Sequence, residues 1–524
     1  MKPLTTLLLT TLYSLLTTAA PADDGAAQPG GVQAPAEDRQ GVQAHPSPQP
    51  NIVLFITDDQ SPIAGCYGDK IIQTPHLDAL AAQGTRFTHA FATTASCSAS
   101  RSVILTGLHN HANGQYGHTH DYHKFETYAN CAALSLPNQL RALGYRTAQI
   151  GKLHVAPEAV YQFDQYLRTP HGHNTPAWID ACKPLFTEKT DKPFFLYFAT
   201  HDPHRGGGIV KNVPEKLKPN RFGNPPVGKE YPGTKEVVYD PAKVPVPAFL
   251  PDTIECRREV AQYYQSCTRT DKALGRLIAA LKEAGKYENT LIIFTADHGM
   301  AFPGAKTTVY EAGLRVPFIV KMPGQKKQGV VNNAMISHTD ITPTILDAAG
   351  GFNAKKQAPK KLLPTPPRGR GENNGRKLNR YHGRSWLSIL EQEKPKGWDE
   401  IVGSHTFHEI QMYYPMRTVR GRNYKLIWNI ASPLPYPFAS DLWVASTWQA
   451  QFQKGKQAKY GNRTVYSYIH RPKFELYDIV NDPAETKNLA VDPKFEAKLN
   501  ERKERLKLLQ EQTNDPWRIK WRYE

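Results

Sequence analysis

The chain has 524 residues, of which 40% are hydrophobic, and its formal net charge is +17. This size and composition allow a large buried core and predict two unequal domains. The positive charge favours an acidic partner. Because no sequence signature of a nucleic-acid-binding fold accompanies that charge, we expect no nucleic-acid ligand.

Residues 1–22 predict a secretory signal peptide. They carry a single charge at Lys2, an apolar stretch from Leu4 to Leu16, and a small-residue exit that ends at Ala22,. The stretch is too short to span a membrane, and we expect no later span. Residues 23–49, rich in Ala, Gln, Gly and Pro, predict a disordered spacer. We therefore expect a secreted or periplasmic protein, or a lysosomal one in a eukaryote.

Strands and helices alternate to about residue 350, and four apolar runs predict strands that end in charged or imidazole side chains. The runs start at Asn51, Tyr145, Pro193 and Thr290, and they lead into Asp58-Asp59, Lys152-Leu153-His154, His201-Asp202-Pro203-His204 and Asp297-His298,. Open α/β sheets bind ligands outside the carboxyl ends of their strands. The sequence therefore predicts one site that combines acids, imidazoles and ammonium groups.

The acids of this set indicate a metal site. Adjacent Asp58 and Asp59 cannot both be buried as anions without a compensating charge. Carboxylate oxygens suit a hard cation such as calcium or magnesium, and Asp297 could supply a third carboxylate. His298 is expected beside the metal, although nitrogen is a poorer partner for calcium. The neighbouring lysines and arginine suit the oxygens of a tetrahedral anion.

The run from Cys97 to Arg101, followed by Ser102-Val103-Ile104-Leu105-Thr106-Gly107, resembles the cysteine signature of the type I sulfatases in the alkaline phosphatase superfamily. The resemblance extends over nearly the whole chain after residue 50, and within the family it is closest to the sulfamidases. The runs that carry it are Leu105 to His123, Phe194 to Arg205, Asp340 to Asp347, Ser404 to Arg417, and Asp515-Pro516-Trp517.

The resemblance implies an alkaline-phosphatase-like α/β fold with a mixed, mostly parallel sheet sandwiched by helices. A smaller C-terminal domain with an antiparallel sheet and a helix is expected to follow it. We expect the large domain at 50–380, with a basic insertion at 354–380, and the small α+β domain at 381–524. Short apolar runs at Tyr424–Trp428 and Phe474–Asp478, and helical spacing near Lys494–Gln510, fit the small domain,.

The resemblance also implies the reaction and its residues. A maturation enzyme would convert Cys97 to formylglycine, whose hydrate attacks sulfur, and the expected substrate is N-sulfoglucosamine at the non-reducing end of heparan sulfate or heparin fragments. One calcium ion would be held by Asp58, Asp59, Cys97, Asp297 and His298. The catalytic set would be Cys97, Arg101, Lys152, His154, His201 and Lys306, with His201 as the acid, and the sugar would contact His111, His123, His408, Glu409 and Arg417.

Two departures from the family pattern leave alternatives open. Ala99 replaces the usual proline of the maturation motif, and His298 stands where sulfamidases usually carry Asn. The second departure favours an O-sulfatase acting on glycosaminoglycan or aryl sulfate esters. More distant alternatives are a phosphatase or phosphonate hydrolase of the same superfamily, and a non-catalytic protein that binds polyanions through residues 354–380.

The cysteine count limits the disulfides without assigning them. Six cysteines are present, and five remain once Cys97 is set aside as the nucleophile. At most two disulfides are therefore expected, with their connectivity open. The oligomeric state also stays open, a homodimer included.

Overall fold

The computed structural model describes residues 49–119, 124–170, 172–206, 218–363 and 378–523. Residues 49–524 form one compact unit. The predicted signal peptide, residues 23–48 of the predicted spacer, and His123 lie outside the described residues. The basic insertion is described only at its two ends, 354–363 and 378–380.

The described residues contain four sheets. Their strands, in chain order, are β1 Asn51–Thr57, β2 Thr85–Phe91, β3 Arg146–Gly151, β4 Gln165–Leu167, β5 Phe194–Ala199, β6 Thr290–Ala296, β7 Arg315–Val316, β8 Phe318–Lys321, β9 Val330–Ser337, β10 Phe352–Asn353, β11 Ala358–Pro359, β12 Glu400–His405, β13 Met416–Gly421, β14 Tyr424–Asn429, β15 Lys459–Tyr460, β16 Arg463–Thr464 and β17 Phe474–Asp478.

The described helices range from single turns to one long helix of 30 residues. They are α1 Pro75–Gln83, α2 Cys97–Thr106, α3 Asn110–Asn113, α4 Leu136–Ala142, α5 Ile179–Thr187, α6 Ile254–Glu283, α7 Glu311–Leu314, α8 Ile341–Ala348, α9 Ser440–Trp443, α10 Ser446–Phe452, α11 Val465–Ile469, α12 Glu496–Gln512 and α13 Lys520–Tyr523. Short 3-10 turns connect several of these elements.

The large sheet has nine strands in the order β4-β3-β5-β1-β6-β8-β2-β7, with β9 paired to β2. The neighbours β4, β3, β5, β1 and β6 run parallel, whereas β8 runs antiparallel to β6 and β2. The prediction of a mixed, mostly parallel sheet is confirmed. Because β3, β5, β1 and β6 are parallel neighbours, their carboxyl ends meet at one edge, where the sequence predicted the site.

Helices cover both faces of this sheet. On β1, Ile52 and Leu54 face one apolar cluster, while Val53 and Phe55 face another. The first cluster contains side chains of α2, α4 and α8, and the second contains side chains of α1, α5 and α6. Burial on both faces explains why the central strands are continuously apolar rather than alternating. The predicted sandwich is therefore confirmed.

The smaller sheet is antiparallel, in the order β12-β13-β14-β17. One face carries α12, whose Leu499 and Leu506 pack with Val419, Leu426 and Trp428. The opposite face joins an apolar cluster that includes side chains of α6. The predicted C-terminal sheet and helix are thus confirmed, while the boundary at 380/381 stays a prediction.

All six cysteines lie in the described part of the chain, and all six are free. None of the helices described by the structure is both long enough and apolar enough to cross a membrane.

Candidate active site

Cys97 is the first residue of α2 and is fully buried. Its Sγ lies 3.6 Å from Asp59 Oδ1 and 3.4 Å from His298 Nε2. Burial raises the pKa of this thiol, with Asp59 adding to the effect, so the unmodified side chain stays neutral,. A neutral buried thiol is a weak nucleophile, because the thiolate is the reactive form.

The backbone at Asp59 is held in the left-handed region, with φ of 61°. Its N–H donates to Asp297 Oδ1 at 2.9 Å, and its carbonyl accepts from the Tyr263 hydroxyl at 2.8 Å. These contacts stabilise a conformation that is costly for a residue with a Cβ, and such positions concentrate at functional sites. Asp59 thereby turns its carboxylate toward Cys97.

Arg101, one turn along α2, joins two of the acids. Its Nη2 lies 3.1 Å from Asp58 Oδ1 and 2.9 Å from Asp297 Oδ2, and Lys152 Nζ donates to Asp58 Oδ2 at 2.6 Å. Burial alone would raise the pKa of Asp58, but the cations, Lys152 first, hold it well below its usual value. Asp58 is therefore an anion paired on both oxygens.

Four side chains form a compact set of candidate metal ligands: Asp59, Cys97, Asp297 and His298 each offer one atom, and these atoms lie within 4.8 Å of one another. Burial raises the pKa of Asp297 to about 6, with Asp58 adding to the effect, so the cluster favours additional positive charge. The residues present fit a hard divalent cation. Asp58 is not in this set, because its oxygens meet Arg101 and Lys152, and its role as a ligand stays a prediction.

Lys306 is buried at the centre of a second group. Its Nζ lies 2.9 Å from each of Asp59 Oδ2, His204 Nε2 and Asp441 Oδ2. Burial opposes the charge, but Asp441 and Asp59 outweigh it and raise the lysine pKa well above its usual value. Lys306 is thus a fixed cation beside the candidate metal ligands.

The structure brings His204, rather than the predicted His201, to this lysine. The ring of His201 packs edge-on against Trp178 and His173. Both histidines belong to the same run after β5, and His201 interacts electrostatically with Asp58 and Lys152 of the site. Burial, reinforced by Lys306, lowers the pKa of His204 to about 4. The role of His201 as the acid stays a prediction.

Three imidazoles pack against one another close to Cys97, the candidate nucleophile. The His118 ring lies 3.8 Å from the ring of His408 and 4.9 Å from that of His154, measured between centroids. His408 Nδ1 is also 3.0 Å from the hydroxyl of Ser96, the residue that precedes Cys97. This packing therefore brings the predicted residues His154 and His408 close together. It adds His118, which the sequence did not single out.

Glu409 is linked to the Lys306 group through α9. Its Oε1 accepts from Ser440 Oγ at 2.8 Å, and the next residue, Asp441, holds Lys306. Sequence reasoning missed Asp441, because no motif surrounds it and its role depends on a contact across 135 positions.

Arg417 and His111 both contact the C-terminal segment of the chain. Arg417 is buried, its Nε and Nη2 donate to Asp515 at 2.5 and 3.1 Å, and its Nη1 donates to backbone carbonyls that include that of His405. His111 Nε2 is 3.1 Å from the Thr513 carbonyl oxygen. These contacts describe how the tail is anchored, and the sugar-binding role of both residues stays a prediction.

A family model described as Sulfatase matches residues 50–351. The chain therefore belongs to the sulfatase family and is a hydrolase of that class. Human N-sulphoglucosamine sulphohydrolase is 36% identical over 477 residues, which cover 89% of this chain and 91% of the human protein. An ulvan-active sulfatase of Formosa agariphila is 27% identical over 86% of this chain and 78% of its own length.

Solved structures support the fold. One solved structure is of a protein in complex with its substrate, D-glucosamine-2-N,6-O-disulfate. Its TM-score to this chain is 0.59 at 20% identity, and the alignment covers 89% of this chain and 98% of that one. The phosphonate monoester hydrolase of Agrobacterium radiobacter has a TM-score of 0.58 at 19% identity, covering 88% and 96%. At these identities the likeness concerns the fold alone, which agrees with the alkaline-phosphatase-like architecture predicted from the sequence.

The contacts of Arg417 lead to a stability prediction. Replacing Arg417 by Ala would leave the Asp515 carboxylate buried without its cation, which we expect to lower the free energy of unfolding by about 3–5 kcal/mol. The control is Arg141→Ala, which breaks an ion pair whose side chains are 39% exposed and should cost no more than about 1 kcal/mol. Chemical denaturation measures both. Unchanged stability in Arg417→Ala, with selective loss of saccharide hydrolysis, would instead support a substrate contact.

Proposed function

We propose that this sulfatase removes the N-linked sulfate of N-sulfoglucosamine at the non-reducing end of heparan sulfate or heparin fragments. The observation that carries the proposal is the 36% identity to human N-sulphoglucosamine sulphohydrolase over nearly the full length of both chains. The site itself supports the same sulfate hydrolysis. It groups Cys97 with three carboxylates and three cations near the strand ends. The predicted leader at 1–22 adds the proposal that the enzyme is exported.

Two additions complete the site in this proposal. Formylglycine, formed from Cys97 by a maturation enzyme that accepts Ala99, would supply as its hydrate the hydroxyl that attacks sulfur. A calcium ion held by Asp59, Asp297 and His298 beside residue 97, with Asp58 adjoining, would supply positive charge to the sulfo oxygens.

The chain's own cations orient the sulfo group. Lys152 pairs with Asp58, and Lys306 pairs with Asp59. Both are held by ion pairs, so their ammonium groups stay charged and need no reorganisation when an anion binds. Arg101 fixes Asp58 and Asp297 and thereby keeps the strand ends in place.

Proton transfer falls to the histidines. His201 keeps the acid role that the family resemblance implies and would donate to the departing nitrogen, with Lys306, whose Nζ donates to His204 Nε2 at 2.9 Å, as the neighbouring cation,. A bound sulfo anion would favour the protonated imidazole that this role requires. His154, which packs edge-on against His118, would accept the proton whose loss releases sulfate. Glu409 and His408 would contact the sugar.

One observation favours a second candidate. The Asp297-His298 pair is the pattern that motivated an O-sulfatase, and His298 lies in the candidate metal set. The same nucleophile and cation sites would then act on a sulfate ester.

Maturation can be tested by mass spectrometry. The active protein should yield a Cys97 peptide about 18 Da lighter than the cysteine form, because conversion of the thiol to the aldehyde replaces sulfur by oxygen and removes two hydrogens. The peptide with buried Cys131 should remain unmodified and serves as the internal control. Full activity in a preparation that contains only the Cys97 thiol would contradict the mechanism.

Metal binding can be measured without activity. Purified protein should contain about one calcium per chain by elemental analysis, and Asp297→Asn should lose most of it, because one charged ligand is removed from a small set. Asp271→Asn is the matched control: Asp271 is also buried, but it accepts from the backbone N–H groups of His76 and Leu77 in α1. Equal metal content in both variants would place the ion elsewhere.

The substrate ranking tests the function itself. We expect hydrolysis of N-sulfoglucosamine to exceed that of glucosamine 6-O-sulfate or an aryl sulfate by at least about tenfold in kcat/KM, a difference of the size that specific polar contacts produce. Glu409→Gln should lower hydrolysis of the saccharide more than that of the aryl ester, which has no sugar to bind. The reverse ranking of substrates would assign the chain to the O-sulfatases.

A further inference from the structure

Asp441 brings a carboxylate into the candidate active site from outside the part of the chain that matches the sulfatase family model. It lies in α9, well beyond residue 351, and its side chain is 11% exposed. Its oxygen lies within 4.8 Å of ligand atoms of both Asp59 and His204. Among the described residues, Lys306 is the side chain that donates to it, through Oδ2.

Cys97 and the pair of Lys306 and Asp441 contact different oxygens of the Asp59 carboxylate. Cys97 Sγ meets Asp59 Oδ1, Asp59 Oδ2 meets Lys306, and Lys306 meets Asp441. In a displacement at sulfur, the departing atom leaves opposite the attacking atom. A sulfo group bound between these contacts, as the proposed function requires, would direct its departing atom toward the group formed by His204, Lys306 and Asp441.

That group offers both donors and an acceptor. The nitrogen of a sulfamate carries one hydrogen and one lone pair, so it can donate to a carboxylate while it accepts from a cation. The bridging oxygen of a sulfate ester has lone pairs only, and it would meet the Asp441 carboxylate with no hydrogen between them. A site with an acceptor at this position discriminates strongly against a substrate that lacks the donor.

We propose that Asp441 is a specificity-determining residue that accepts a hydrogen bond from the sulfamate N–H and so selects N-sulfate over O-sulfate. The inference rests on the proposed function and names the group that would enforce it. The adjoining Ser440 to Glu409 hydrogen bond ties the same turn of helix to a candidate sugar contact. The short helix α9 would then contact the sulfamate N–H directly and position a residue that contacts the sugar.

The test crosses an enzyme variant with a change in the substrate. Asp441→Ala should lower kcat/KM for N-sulfoglucosamine about ten- to a hundredfold more than for 4-nitrophenyl sulfate, the range expected for one hydrogen bond to a charged group. Loss of the Lys306 partner alone would reduce both activities together, so the ratio is the informative quantity. Asp180→Ala, at an exposed aspartate paired with Lys183, is the control and should leave both values unchanged.

A second measurement uses the wild-type protein and does not depend on how the variant folds. N-methylated N-sulfoglucosamine has no N–H. The kcat/KM of the wild type should therefore be lower on this substrate than on N-sulfoglucosamine by a similar factor, whereas the kcat/KM of Asp441→Ala should be nearly the same on both substrates. Equal loss of both activities in Asp441→Ala, or a wild type that is indifferent to N-methylation, would overturn the role of Asp441. A wild type that prefers O-sulfates would instead refute the proposed function, and the two failures are therefore distinguishable.

Discussion

The compensation of buried charge at the carboxyl ends of β1 and β6 is the constraint on which the rest of the site depends. Asp58, Asp59 and Asp297 are each almost completely buried, and an isolated buried carboxylate is too costly to persist. Arg101, together with lysines from two other segments, pairs with these acids. The parallel strands therefore provide the acids, and elements from elsewhere in the chain provide the cations.

This arrangement explains why the site needs the C-terminal part of the chain. Lys306 is held on one side by Asp59 of the large sheet and on the other by Asp441 of α9. Arg417 of β13 is anchored to Asp515 near the end of the chain. The buried Asp515 thereby keeps Arg417 of β13 in place, and Arg417 in turn holds the His405 carbonyl. The residues proposed to contact the sugar follow shortly after His405.

Three of the seven non-glycine residues with positive φ in the described part of the chain lie at this site. Asp59, His154 and Thr307 are non-glycine residues with positive φ, at 61°, 51° and 66°. Each adjoins or is itself a residue of the proposed chemistry. Gly299, directly after His298, has no room for a Cβ, because one would lie 1.9 Å from the Ala312 carbonyl oxygen. Close backbone packing and costly dihedrals thus fix side-chain directions that local propensity would not choose.

The sequence by itself determined the sheet, the edge at which the site forms, and the candidate nucleophile and acids. Continuous apolar runs identify buried parallel strands, and residues that directly follow such strands must share an edge. Only the tertiary structure decided that His204 rather than His201 reaches Lys306, that Asp58 pairs with Arg101 and Lys152, and that Asp441 joins the site. These outcomes depend on side-chain direction and on contacts between distant segments, which no local pattern encodes.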